Sequence, residues 1–117
     1  MKGLEISFRD IEHSDAIEFH IREKASKLTE RYDDITGIRA VVGLPHNHSQ
    51  KGKIAHISLE IGMPGEVIAI TNDHHDNPEH ENMYVALRDA FEKAQRKIGK
   101  IHDKRIDTKR RAQIQHH

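Results

Sequence analysis

A chain of 117 residues with 32% charged, 35% hydrophobic and 4% aromatic residues supports one aliphatic core beneath a densely charged surface. It contains no cysteine, which excludes disulfides, thiolate nucleophiles and Cys-based zinc sites. No apolar run reaches the ~20 residues of a membrane span and the start, "MKGLEISFRD", lacks the apolar segment of a secretory leader, so a cytoplasmic protein is expected. The formal net charge of zero hides a segregation. Nine basic and eleven acidic residues precede Asp73, none and four lie in 73–82, and ten and four follow. A basic C-terminal third in a neutral chain suits a polyanionic partner.

Taken in chain order, "GLEISF" alternates Leu4, Ile6 and Phe8 with polar residues and predicts a half-buried strand at 3–8. Ser14 is an N-cap candidate for a helix at 15–33, whose Ile17, Ile21, Ala25, Leu28 and Tyr32 form an apolar stripe. The β-branched run "IRAVVGL" predicts a strand at 38–44, stopped by Pro45. "PHNHSQKG" reads as a polar hairpin connection, followed by a strand at 53–61 with Ala55, Ile57, Leu59 and Ile61 on one face. Pro64-Gly65 supplies a turn into a fourth strand at 66–72. Residues 73–82 are charged and aperiodic. From Asn82 the period turns helical, with Tyr84, Leu87, Phe91, Ala94, Ile98 and Ile101 on one side of a helix at 82–104. The expected fold is α+β, in the order β-α-β-β-β-α, a four-stranded sheet with two helices packed on one face. Residues 1–104 form the domain, and 105–117 are expected to be a basic, flexible tail.

The polar side of the second helix carries Lys93, Arg96, Lys97, Lys100 and Lys104 at spacings of one to four residues, with Arg88 one turn earlier. Read as one exposed stripe, this matches the spacing of nucleic-acid phosphates, whose neutralisation releases counterions. The first helix adds Lys24, Lys27 and Arg31. The competing reading is a solvated helix face. Histidines at 46, 48, 56, 74, 75 and 80, with Asp76, Glu79 and Glu81, raise a metal-binding alternative. Their spacing matches neither HExxH nor any other metal signature, so no metal or other cofactor is expected. The serines stand in no GxSxG context and no Gly-rich phosphate loop occurs, so the chain is not read as an enzyme.

Two segments resemble a known family. "ENMYVALRDAFEKAQRKIGKIHDK" is similar to the second helix of the ribosome hibernation-promoting factor and ribosome-associated inhibitor family, and "SDAIEFHIREKASKL" resembles its first helix. The resemblance spans residues 3–104. The loops "PHNHSQKGK" and "PGEVIAITNDHHDNPEHE" resemble a subgroup often followed by a cold-shock domain, for which this chain has no room; it also lacks the extension with which long members pair ribosomes. The resemblance implies binding to small-subunit ribosomal RNA in the channel for messenger and transfer RNA, and inhibition of translation under stress or in stationary phase, by a protein monomeric off the ribosome. It implies basic contacts at Lys24, Lys27, Lys93, Arg96, Lys100 and Lys104, with His46 and Lys51 of the hairpin as further candidates. A second partner, such as an alternative sigma factor, stays open.

Overall fold

The computed structural model describes residues 3–43, 56–72 and 83–114. The order is β1 (Leu4–Arg9), α1 (Asp15–Arg31), β2 (Gly37–Gly43), β3 (His56–Met63), β4 (Glu66–Asn72) and α2 (Met83–Ile114). The strands lie side by side in sequence order, with β1 parallel to β2 and the other neighbours antiparallel. A parallel neighbour needs a crossover, and α1 supplies it. The fold is therefore the expected α+β arrangement.

Alternation decides which face is buried. The register aligns Ile6, Ala40, Leu59 and Ile70 across the sheet, and Ile38, Ile61 and Ile68 beside them, so one face is aliphatic. The opposite face carries Glu5, Arg39 and Glu60, with a 3.1 Å ion pair between Glu5 and Arg39. Both helices cover the aliphatic face, α1 against β1 and α2 over β3 and β4, and they touch each other. Ser14 caps α1, its hydroxyl accepting from the Ile17 amide at 3.3 Å. Pro64 and Gly65 close the β3–β4 hairpin, and the glycine φ of 77° is the value that a type II turn demands of its third residue.

Two expectations change. Tyr84 was placed in the apolar stripe but is 44% exposed, its ring edge-on to His20 of α1 at 5.2 Å. At about 100° per residue Tyr84 turns toward α1, not the sheet. The small residues Ala86 and Ala90 fill the buried positions instead and let α2 approach the strands closely. The second change is length. α2 does not end near Lys104 but runs to Ile114. Residues 105–114 contain neither Gly nor Pro and are mostly helix-favouring Arg, Lys, Ala and Gln, and Asp107 pairs with Arg111 one turn on at 3.1 Å.

Candidate nucleic-acid interface

The two helices run parallel. His20 lies against Tyr84, Lys24 and Lys27 share a groove with Arg88, and Tyr32 packs edge-on to His102 at 5.3 Å. Parallel alignment follows from topology, because each helix follows a strand on the same face of the sheet and returns in the same direction. Consequently the basic residues of α1 and α2 meet in step. Lys24, Lys27, Arg31 and Arg88 line a groove of about 350 Å³ floored by Leu28 and Phe91. Arg31 continues into a second depression of about 480 Å³ with Arg96 and Lys100. Lys104 and Arg31 border a third, of about 1000 Å³, at the C-terminal end of α1.

The expected single stripe is broader than its spacing suggested. At about 100° per residue the basic side chains of α2 fan over roughly half its circumference, from Arg88 beside α1 to Lys97 on the far flank. Lys93 and Lys97 accordingly do not border the interhelical grooves, whereas Arg96 and Lys100 do. His46 and Lys51 lie outside the described residues, as do the histidines of 73–82.

Charge balance in the cleft is uneven. Arg88 turns to Asp89 at 3.3 Å, and Glu92 and Asp103 project into the grooves. Among the described residues, Lys24, Lys27, Arg96, Lys97, Lys100 and Lys104 form no salt bridge. Arg31 sets its guanidinium 5.6 Å from the centre of the Tyr32 ring. The excess positive potential reaches His20: burial, helped by Lys24 and Lys27 and opposed by Glu23, holds its imidazole below the usual pKa.

Sequence reasoning missed Arg105. Its guanidinium donates to the Pro64 carbonyl at 2.7 Å and lies 3.5 Å from Asp34 and 3.6 Å from Glu66. It ties α2 to both the α1–β2 link and the β3–β4 hairpin. The available signal was its helical phase, since it follows Ile98 and Ile101 around the same side. Among the described residues no group of three or more His, Asp or Glu could hold a metal, and no helix is long and apolar enough to cross a membrane.

Comparison with known proteins agrees with this geometry. A ribosome hibernation promoting factor of Azotobacter vinelandii is 28% identical over 102 residues, covering 87% of this chain and 84% of the relative. The crystal structure of the N-terminal domain of Protein Y from Thermus thermophilus superposes with a TM-score of 0.67 at 20% identity, covering 86% of this chain and 99% of that one. A ribosomal subunit interface protein from Coxiella burnetii gives 0.69 at 13% identity, covering 86% and 98%. These two likenesses concern the fold. Residues 4–106 match the family described as sigma 54 modulation protein / S30EA ribosomal protein, and the chain belongs to that family.

Proposed function

We propose that this chain is a non-catalytic ribosome hibernation factor that binds small-subunit ribosomal RNA in the messenger and transfer RNA channel and holds translation off under stress or in stationary phase. The observation that carries the reading is the alignment of Lys24, Lys27 and Arg31 with Arg96 and Lys100 across one cleft between parallel helices. Two basic rows in step can flank one RNA backbone and neutralise several phosphates at once, which favours tight, salt-sensitive and sequence-tolerant binding. Lys93, Lys97 and Lys104 extend the positive surface to the outer flank, where a second backbone segment can lie. Inhibition then needs no chemistry: a bound protein excludes the RNAs that would occupy the same channel. The names of the Azotobacter and Coxiella proteins support the ribosomal partner.

The test is sedimentation of the purified chain with ribosomal subunits at low and high salt. Comigration with the small subunit at low salt, lost at high salt, is the expected result. Replacing Lys27, Arg96 and Lys100 together by Gln should weaken binding and flatten the dependence of log affinity on log salt by ~0.7 to 0.9 per lost contact. A folded triple variant with unchanged affinity and salt slope would reduce the cleft to a solvated surface, and failure to comigrate would return attention to a protein partner such as a sigma factor.

A further inference from the structure

We infer that the aromatic pair Tyr84–His20, at the head of the basic cleft, is a stacking platform for one unpaired nucleobase of the bound RNA. The inference rests on the RNA-binding reading above and adds a base contact to its phosphate contacts. Tyr84 is 44% exposed although it opens the helix that supplies most of the core. Its ring meets His20 at 89°, with centroids 5.2 Å apart. Perpendicular rings do not cover each other's faces as stacked rings would, so ring surface remains for a flat ligand. The pair's position argues for what that ligand is. Lys24 lies one turn beyond His20 and Arg88 one turn beyond Tyr84, so both helices lead from an aromatic residue directly to a cation bordering the groove. A strand whose phosphates lie along Lys24 and Lys27 would bring a base over the aromatic pair, the alternation of stacking surface and positive charge that suits single-stranded RNA. An apolar peptide would not gain from the neighbouring cations.

The environment of His20 is consistent with a stacking role. Burial and the nearby Lys24 and Lys27, opposed by Glu23, keep its imidazole neutral at neutral pH, so it contributes a ring and not a further charge. Phe19, 66% exposed, points about 100° farther around α1 and is not part of the pair.

The experiment uses the full chain, a short oligoadenylate and an abasic oligomer of equal length and charge. The chain has two tyrosines and no tryptophan, and Tyr32 is buried, so tyrosine emission reports chiefly on Tyr84. Oligoadenylate should bind more tightly than the abasic oligomer and quench that emission. Tyr84→Leu should erase the preference, a loss of about ten- to a hundredfold on oligoadenylate, while leaving abasic binding unchanged. Tyr84→Phe should keep the preference but lose the quench, which separates ring stacking from a hydroxyl contact or a folding defect. Equal binding of both oligomers by the wild type, or a preference surviving in Tyr84→Leu, overturns the platform and leaves phosphate binding standing. Binding to neither oligomer at low salt overturns both readings.

Discussion

Gly43 shows how one residue sets the closure of the parallel strand pair. A Cβ there would stand 2.5 Å from the backbone carbonyl oxygen of Arg9, its β1 partner, and that oxygen cannot swing away as a flexible side chain could. Gly43→Ala should therefore lower stability by about 1–3 kcal/mol, read from the urea midpoint, and Gly43→Val by more. At His20 the effect is one of proton linkage. The folded pKa lies below the unfolded one, so its contribution is complete above the ordinary value near 6.5 and is lost as pH falls through the depressed folded value. An NMR titration should find His20 still neutral where a random-coil histidine is half charged, and removing the ring by His20→Asn should shallow the fall in stability on the acid side. A normal titration of His20 would deny the depressed value.

Among the elements, α2 joins the most roles. Ile98, Leu87 and Ala94 bury completely, while Arg96 and Lys100 border the cleft within the same turns. Ile98→Ala should cost about 2–5 kcal/mol of stability, since the site is closed on all sides. The fan of basic residues predicts a graded response: exchanging Lys27, Arg96 and Lys100 for Gln should weaken small-subunit binding more than exchanging Lys93, Lys97 and Lys104. Equal losses would mean that RNA covers the outer flank as closely as the cleft. Arg105 governs the far end of the helix. Its replacement by Ala should change global stability by about 1 kcal/mol or less, because its ion pairs are partly solvated, yet speed amide exchange from Ile106 onward. The positions of α1 and the four strands were legible because each has a clean period bounded by a cap or turn, as Ser14 and Pro64-Gly65 show. The end of α2 was not, because the apolar stripe fades at Ile101 while helix propensity continues. Periodicity reports burial, and this helix outlasts the surface that it covers.

For the molecule as a whole, the sequence disclosed which residues are basic but not how they combine. That depended on two helices being parallel and in step, a long-range outcome of the β1–β2 crossover which local spacing does not contain. Arg88 and Lys97 looked equivalent on the page and lie on opposite flanks in space; Ile35, inside an apparent turn, is 1% exposed and belongs to the core. The projecting end of α2 carries a further consequence. The molecule measures 65 Å along its longest axis, whereas charge is screened over ~8 Å at physiological salt. Opposite charges at its two ends therefore cannot cancel for a partner touching one of them, and the formal neutrality of the chain is a property only of very dilute electrolyte. Beyond Arg105, residues 106–114 hold Lys109, Arg110 and Arg111 against one aspartate, Asp107, and behave as a separate cationic probe. The protein should thus be retained by a cation exchanger at pH 7 despite zero net charge, and deleting residues 106–117 should shorten that retention while leaving the unfolding midpoint nearly unchanged.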